Sequence, residues 1–377
     1  MPAWCYPRSR HARLDTRRTK GEYTSKRERS AVLFPEFAHP TLIGIAKEAA
    51  ASELLEAKAR VRYFELPTRR FLSPVRSKRV PFCWSINPYR GCEFGCRYCY
   101  ARYTHEFMEL RESSQFEEMI FAKQFDEAAF RRELRSTARH ESIAIGTGTD
   151  PYQPAERRFG VTRQILEVLA GEKGRRISLV TKSDLVARDA LLFQTISRSN
   201  ILHVNITITT LDEWLARLLE TWAPRPALRV AAVRALAEAG IHVGVLPNPI
   251  VPLITDSEEN LDSVAAAAAQ AGAESFGGGV LFLKPCSRRV FLPFLAEHFP
   301  HLLRRYRERY EKSGFLCGSY TDTIRERVHR VRQRHGLMSG GANYEPELWE
   351  GEPQLELFDV REWDGDTLCP ISSKNIR

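Results

Sequence analysis

Three cysteines lie close together on one short stretch of the chain with the spacing C-x3-C-x2-C, namely Cys92, Cys96 and Cys99. Three thiolates on such a loop can ligate three irons of a 4Fe-4S cluster. Because no fourth cysteine is nearby, the fourth iron would stay open to an exogenous ligand. The spacing therefore predicts a 4Fe-4S cluster that takes part in chemistry.

A zinc site is the alternative interpretation of the same loop. The three thiols and His105 could form a Cys3His site, since tetrahedral zinc accepts these ligands. Zinc would not explain Gly91 and Gly95, which suit a loop that wraps tightly around a cluster. It also leaves the aromatic Tyr98, directly before the last cysteine, without a role.

The composition is that of a globular α/β protein with extensions. The chain has 377 residues, of which 43% are hydrophobic, enough for a sizeable core. No apolar run is long enough to span a membrane, and the N-terminus lacks the apolar stretch of a signal peptide. We therefore expect a cytoplasmic protein without a membrane partner, where a reducing compartment protects the cluster. The other five cysteines are scattered singly and are interpreted mostly as free thiols.

The net charge of +9 is unevenly distributed along the chain. Residues 1–30 hold nine Lys and Arg against three acids, residues 304–334 hold ten against four, and residues 343–377 hold nine acids against three bases. Such blocks are usually solvated arms or helix faces. The alternative is an anionic partner: a nucleic acid, a phosphorylated metabolite, or an acidic reducing partner such as flavodoxin or ferredoxin.

Short β-rich runs alternate with longer amphipathic segments, which predicts βα units and a parallel sheet. The predicted strands are residues 83–87, 142–146, 176–181, 201–209, 241–246 and 275–283. The predicted helices between them are residues 125–138, 162–170, 187–197, 228–239 and 256–271.

Four regions are expected along the chain. Residues 1–79 form a basic N-terminal extension, disordered up to about residue 35 and helical over 43–60. Residues 80–290 contain the βα units. Residues 291–336 form a C-terminal helical segment that could close the open side of the sheet. Residues 337–377 form an acidic tail, extended or disordered.

Two motifs carry a resemblance to a known family. Asn-Pro-Tyr-Arg-Gly-Cys at residues 87–92 and Thr-Asp-Pro-Tyr-Gln-Pro at residues 149–154 resemble the spore photoproduct lyase-like branch of the radical S-adenosylmethionine (SAM) superfamily. The resemblance covers about residues 80–335 and implies a partial (β/α)6 TIM-type barrel with the cluster loop after the first strand. It further implies that SAM chelates the open iron and that an electron from the cluster cleaves SAM to a 5'-deoxyadenosyl radical.

The resemblance assigns roles to individual residues. It implies cluster ligation by the three cysteines and places five residues near SAM: Tyr98, Gly146, Lys182, Thr207 and Asn248. Polar residues at the C-terminal strand ends agree with this, because chemistry in such barrels takes place there.

Each of these strand-end residues also has a simpler interpretation. The glycines and prolines of residues 146–154 are common in ordinary turns, and Lys182 could be a solvated surface lysine. Asn205, Thr207 and Thr209 alternate along the fourth strand and share one face, which suits a ribose and a carboxylate if it points inward. Helix-facing hydroxyls are the alternative there. Asn248, between two prolines, fits a backbone contact with adenine.

One position departs from the family pattern. In spore photoproduct lyase a cysteine just after the second strand gives a hydrogen atom to the product radical, and Thr147 takes that position here. An O–H bond is too strong for this donation, so we expect no photoproduct repair. Cys286, predicted at the end of the sixth strand, is the substitute candidate for a hydrogen-atom relay, although a lone cysteine is more often inert.

The sequence thus predicts a radical SAM enzyme that starts its reaction by abstracting a hydrogen atom. The favoured substrate is a nucleic acid or another anionic molecule. The alternative is a zinc- or cluster-stabilised nucleic-acid-binding protein without catalysis. A third hypothesis is an enzyme that modifies a peptide or a small metabolite.

Overall fold

A computed structural model describes residues 43–57, 60–77, 79–340 and 344–349. The disorder predicted up to residue 35, and most of the predicted acidic tail, lie outside these residues. In the described ranges, no helix combines the length and the apolar character that crossing a membrane requires.

The described strands form two sheets. In chain order they are β1 (Glu53–Ala57), β2 (Arg62–Leu66), β3 (Leu72–Pro74), β4 (Trp84–Ile86), β5 (Tyr89–Arg90), β6 (Met119–Lys123), β7 (Ser142–Ile145), β8 (Arg176–Thr181), β9 (Ile201–Thr207), β10 (Val243–Leu246) and β11 (Ser275–Phe276). The helices are α1 (Gly44–Ala50), α2 (Tyr103–Glu106), α3 (Gln115–Glu118), α4 (Glu127–Arg135), α5 (Glu156–Phe159), α6 (Val161–Ala170), α7 (Ala190–Ser197), α8 (Glu213–Leu219), α9 (Pro226–Glu238), α10 (Glu258–Gln270), α11 (Pro285–His298), α12 (Leu303–Arg309) and α13 (Ser319–Arg334).

The larger sheet has the order β11-β10-β9-β8-β7-β4-β3. Six of its strands are parallel and follow one another in chain order from β4 to β11, while β3 pairs antiparallel with β4 at one edge. Within the described residues β4 and β11 do not pair, so the sheet stays open. This confirms the predicted α/β fold with a partial (β/α)6 barrel.

Apolar and polar side chains alternate along the strands, so one face of the sheet is apolar and the other is polar. Val204 and Ile206 of β9 are fully buried in the main hydrophobic core with the helices, as is Leu179 of β8. Asn205 of β9 points to the other face, where its amide donates to Ser178 Oγ at 3.3 Å. The inward orientation predicted for Asn205 and Thr207 follows, because residues two apart on a strand share a face.

Two predicted elements are wrong in their extent. The sixth strand ends at Phe276 and not at residue 283, because three glycines at residues 277–279 follow it and strand interiors disfavour glycine. Cys286 consequently lies in the first turn of α11 and not at a strand end. The helix predicted over residues 43–60 ends at Ala50, and β1 follows it.

The N-terminal described residues belong to a small second sheet with the order β1-β2-β6-β5. β1 pairs antiparallel with β2, and β2 pairs parallel with β6, which comes from beyond the cysteine loop. This long-range pairing overrides the helical composition of residues 51–57. The boundaries predicted at residues 79, 290 and 336 stay predictions, and α11 runs across the second of them.

The C-terminal helices pack on two sides of the barrel. Phe291 and Leu295 of α11 and Tyr306 of α12 share a hydrophobic cluster with the cysteine loop. Helix α13 packs against α10, and its arginines pair with α10 carboxylates, as in Arg330–Glu258 at 2.9 Å. Two of the ten basic residues of the stretch at residues 304–334, Arg330 and Arg334, therefore help to fix α13 on the barrel.

Lys123, at the end of β6, supplies a prediction about pH. Its side chain is only 6% exposed, and burial together with Arg90 lowers the pKa of its ammonium from 10.5 to about 7. Between pH 7 and 10.5 the unfolded chain therefore binds the additional proton, and the free energy of unfolding should rise with pH across this window. The difference between the two pKa values, about 3.5, corresponds to about 5 kcal/mol.

We expect Lys123→Met to raise the free energy of unfolding at pH 7 and to remove this dependence on pH, as measured by urea denaturation at several pH values. Lys47→Met is the matched control, since Lys47 is exposed on α1. If the free energy of unfolding of Lys123→Met still rose between pH 7 and 10 as it does in the wild type, the assignment of this pH dependence to Lys123 would be contradicted.

Candidate functional site

The cysteine loop, residues 91–99, connects β5 to a 3-10 turn at Tyr100–Arg102. Cys92 and Cys96 are buried, Cys99 is half-buried, and all three are free thiols. They lie in the same hydrophobic cluster as Phe94 and Leu283. Three unpaired thiols thus lie on one loop in an apolar environment.

The electrostatics of the loop fit a cationic cluster. Burial raises the pKa of all three thiols, and in each case a nearby carboxylate raises it further. Thiols of this kind become thiolates when a metal coordinates them. For Cys99 the guanidinium of Arg102 acts in the opposite direction and favours the thiolate. The donor set, its burial and its basic neighbours therefore suit a 4Fe-4S cluster.

Gly91 lets the loop approach β6 closely. Its φ is +81°, and a Cβ there would lie 2.7 Å from the Met119 carbonyl oxygen and 2.9 Å from that of Phe116. A larger residue would push the loop away from the sheet. The sequence prediction that glycine is needed at this position agrees with this contact.

The second motif holds the cysteine loop in place. Gln153 is fully buried; its amide donates to the Gly91 carbonyl at 3.0 Å and its oxygen accepts from the Glu93 N–H at 3.0 Å. Thr149 Oγ1 donates to the same Gly91 carbonyl at 2.6 Å. Residues 149–154 are therefore not an ordinary turn, since two of their side chains fix the backbone that carries Cys92.

Asp150 joins the ends of β7 and β8. Its carboxylate accepts from Thr181 Oγ1 at 2.6 Å and from the Lys182 N–H at 2.7 Å. Gly146, with φ +92°, permits this approach, because a Cβ would lie 2.5 Å from the Val180 carbonyl oxygen. The Gly146 N–H itself donates to the Ile86 carbonyl at 3.0 Å.

Lys182 and Tyr98 lie together at the loop, as the predicted roles require. The Lys182 ammonium is 5.7 Å from the centre of the Tyr98 ring. Burial lowers the pKa of Lys182, but the charges of Cys96 and Glu220 outweigh burial, and the net pKa lies above its usual value. The Lys182 side chain is thus a charged group inside the site and not a solvated surface lysine.

Sequence reasoning missed Glu220, which lies directly after α8. Its carboxylate is fully buried, accepts a short hydrogen bond from the Tyr98 hydroxyl and forms an ion pair with Arg229 at 2.5 Å. Thr209 Oγ1 donates to it at 3.2 Å, and Glu220 forms a backbone bridge with Cys96. A buried glutamate leaves no pattern in a sequence, so only the structure identifies this connection between α9 and the cysteine loop.

The remaining predicted residues are more widely distributed. Thr207 ends β9, and its carbonyl accepts from Arg229 at 3.1 Å. Asn248 Oδ1 accepts from the Gly279 N–H at 2.7 Å, so its side chain joins two loops at the barrel end. Cys286 Sγ lies 3.7 Å from the Tyr100 carbonyl oxygen, beside the exit of the cysteine loop.

His105, the fourth ligand of the zinc interpretation, is engaged elsewhere. Its Nε2 lies 3.0 Å from the Met119 carbonyl oxygen, its ring packs on Phe116 and Phe121, and burial lowers its pKa to about 3. Across the described residues, no three side chains of His, Cys, Asp or Glu are gathered closely enough for a single metal ion. A cluster of several irons takes its thiolates from positions farther apart.

Comparison with known proteins identifies relatives along most of the chain. A sequence model of the radical SAM superfamily matches residues 86–266. An uncharacterised protein of Mycobacterium tuberculosis is 35% identical over 259 residues, which cover 68% of this chain and 76% of that protein. An uncharacterised protein of Methanocaldococcus jannaschii is 28% identical over 186 residues, which cover 49% of this chain and 67% of that protein.

Solved structures show the same fold. A double variant of spore photoproduct lyase with bound SAM and a dinucleoside spore photoproduct superimposes with a TM-score of 0.52 at 16% identity, over 73% of this chain and 80% of that one. A variant of the same enzyme with the dinucleoside photoproduct also gives 0.52, over 80% and 87%. The solved structures show the fold. The superfamily match shows that the chain belongs to the radical SAM superfamily and is an enzyme of this class, whose cofactors are a 4Fe-4S cluster and SAM.

Proposed function

We propose that Cys92, Cys96 and Cys99 ligate the cluster and that the enzyme starts its reaction by abstracting a hydrogen atom from a substrate at the barrel mouth. The observation that carries this proposal is the position of three free thiols, two buried and one half-buried, on one loop beside the charged Lys182. When bound, the cluster supplies the electron that splits SAM. We also retain the expectation of a cytoplasmic location.

The chain's own residues bind and orient SAM in this proposal. Lys182 is a point-charge partner for the carboxylate, and Thr207 and Tyr98 are close to the cofactor. Gly146 keeps the end of β7 free of a side chain, so that a ligand can approach the backbone. Asn248 acts through the loop that it fixes at Gly279.

Lys182→Ala and Thr207→Val test the SAM site. Both variants should bind SAM more weakly while keeping the iron content of the wild type, because neither residue is a thiol ligand. Equilibrium dialysis with labelled SAM measures the binding, and Ser73→Ala, on the exposed edge strand β3, is the control. If both variants bound SAM as tightly as the wild type does, Lys182 and Thr207 would not be part of the SAM site.

We assign the donation of a hydrogen atom to the product radical to a thiol. Thr147 Oγ1 lies 2.5 Å from Ser85 Oγ inside the barrel, and a hydroxyl there cannot replace a thiol donor. Cys286 lies beside the cysteine loop, and Ser287 Oγ donates to the Cys99 carbonyl at 3.0 Å in the same helical turn. We therefore retain Cys286 as the proposed relay, and we expect no repair of the spore-type thymine dimer.

Aromatic side chains at the barrel mouth favour a nucleic acid as substrate. Tyr100 follows the last cysteine, and its hydroxyl donates to the Thr147 carbonyl at the end of β7. Its ring adjoins Tyr103 and Phe282, and Phe282 stacks on Phe315 at 3.8 Å. Tyr100 is 40% exposed and Phe315 is 37% exposed, so bases could reach both.

Two cations accompany these rings. Lys284 Nζ lies 3.5 Å from the centre of the Tyr103 ring, and the Arg79 guanidinium lies 4.3 Å from that of Phe315. Aromatic platforms interleaved with basic groups are typical of proteins that bind single-stranded nucleic acid. A peptide or a metabolite remains the alternative substrate. The hypothesis of a nucleic-acid-binding protein without catalysis is set aside, because the chain belongs to a class of enzymes.

Phe315→Ala should weaken the binding of a single-stranded oligonucleotide by roughly 5-fold to 100-fold, since one stacked base is worth about 1–3 kcal/mol. Fluorescence anisotropy at low salt measures this, and the affinity should fall as salt increases. Leu191→Ala is the control, because Leu191 is an exposed apolar residue on α7. No binding by the wild type at low salt would favour a peptide or a metabolite.

A further inference from the structure

A second exposed patch lies against the cysteine loop. Trp214 is 64% exposed and Trp222 is 51% exposed, both in or directly after α8. Large exposed tryptophans are unusual on a free surface and are enriched where proteins bind one another. The Arg60 guanidinium lies over the Trp222 ring, and Arg217 and Arg225 line one pocket beside α8 together with Glu213. We call the five exposed residues with an indole or a guanidinium the Trp-Arg patch: Arg60, Trp214, Arg217, Trp222 and Arg225.

The patch is in direct contact with the backbone that carries Cys96. The Trp222 N–H donates to the Phe94 carbonyl at 3.0 Å, and the Arg97 N–H donates to the Leu219 carbonyl at 2.9 Å. A Cβ on Gly95 would lie 2.8 Å from Trp222 Cδ1, so the indole rests directly on the loop. A protein bound to the patch would therefore approach the cluster ligands.

The charge of the patch is positive. In the described part of the chain its three arginines form no ion pair, in contrast to Arg330 and Arg334 of α13. The Arg60 guanidinium lies 4.1 Å from the centre of the Trp222 ring, and Arg217 Nη1 donates to the Thr221 carbonyl at 2.6 Å. These contacts orient two guanidinium groups without neutralising them, which favours an acidic partner.

We propose that the Trp-Arg patch docks an acidic one-electron carrier protein, of the flavodoxin or ferredoxin type, that reduces the cluster. In this step the carrier loses one electron and the cluster gains one, with no transfer of atoms. The inference rests on the proposed function, because it requires the cluster at the three cysteines. A protein partner is favoured over a nucleic acid because an electron carrier needs to approach the cluster, and the patch lies against its loop.

The test compares two reductants on the reconstituted holoenzyme. Reduced flavodoxin must dock, whereas dithionite is a small ion that needs no docking surface. Arg217→Glu combined with Arg225→Glu should slow reduction of the cluster by flavodoxin about tenfold or more, since electrostatic steering changes association rates to this extent. Reduction by dithionite, followed by the visible absorbance of the cluster, should be unchanged.

Arg305→Glu combined with Arg307→Glu is the matched control, because it makes the same change in net charge on exposed positions of α12. Equal slowing by the two double variants would overturn the patch as the docking surface, as would unchanged reduction by flavodoxin. If the variant with both Arg217 and Arg225 replaced lost oligonucleotide binding but was reduced normally by flavodoxin, the patch would be assigned to nucleic acid, and the docking proposal would be overturned. If dithionite reduces no cluster in the wild type, the proposed function itself fails.

Discussion

Replacement of any one of Cys92, Cys96 and Cys99 by Ala should abolish the cluster. Anaerobically reconstituted wild-type protein should contain about four irons per chain and absorb visible light, whereas each variant should contain almost none. The reason is that two thiolates on one loop cannot hold a cubane whose open iron already lacks a protein ligand. Iron analysis and absorbance spectra measure the effect.

The chain contains its own controls for this experiment. Cys83 and Cys317 are both exposed, and neither lies on the loop. Replacing either by Ala should leave both the iron content and the spectrum unchanged. Stoichiometric zinc with no iron in the reconstituted wild type, or full iron in a Cys96→Ala variant, would contradict the ligand assignment.

Glu220→Ala should lower the free energy of unfolding by about 3–5 kcal/mol, because it leaves the buried guanidinium of Arg229 without a counter-charge. Burial opposes ionisation of Glu220, but Arg229 and Lys182 outweigh it and hold its pKa below the usual range. The carboxylate is thus charged and paired. Urea denaturation of the variant and the wild type measures the difference.

Two further variants distinguish the ion pair from simple loss of packing. Glu127→Ala breaks an exposed ion pair with Arg131 on α4 and should change stability by about 0.5 kcal/mol or less. Glu220→Leu combined with Arg229→Met removes both charges and should recover much of the loss, since apolar residues can replace a buried pair. A double variant as unstable as the sum of the single ones would contradict this account.

The barrel strands were predictable because short β-rich runs alternate with longer amphipathic segments, which leaves a strong local pattern. β8 was predicted with its observed bounds, and β9 and β10 each differ from prediction by two residues at one end. β1 was not predictable, because its residues favour a helix and only pairing with β2 makes them a strand. The preference of a short segment for helix or strand is weak enough for such tertiary contacts to override it.

The site divides in the same way. The sequence predicts the thiols, Tyr98 and Lys182 as site residues because their types and positions match a known chemistry, and these assignments stay predictions. The hydrogen bonds from Gln153 and Thr149 to the Gly91 carbonyl could not be predicted, since hydrogen bonds between distant segments depend on the finished fold. The buried pair of Glu220 and Arg229 was missed for the same reason.

The short edge strand β11 obtains its outer backbone partners from a residue that follows α13. Met338 N–H donates to the Glu274 carbonyl at 2.8 Å, and the Phe276 N–H donates to the Met338 carbonyl at 3.0 Å. During translation, the open edge of the parallel sheet therefore stays uncovered until some sixty further residues have been added. Unpaired strand edges recruit other chains, so a polypeptide interrupted before residue 338 should aggregate even though every barrel strand has been synthesised.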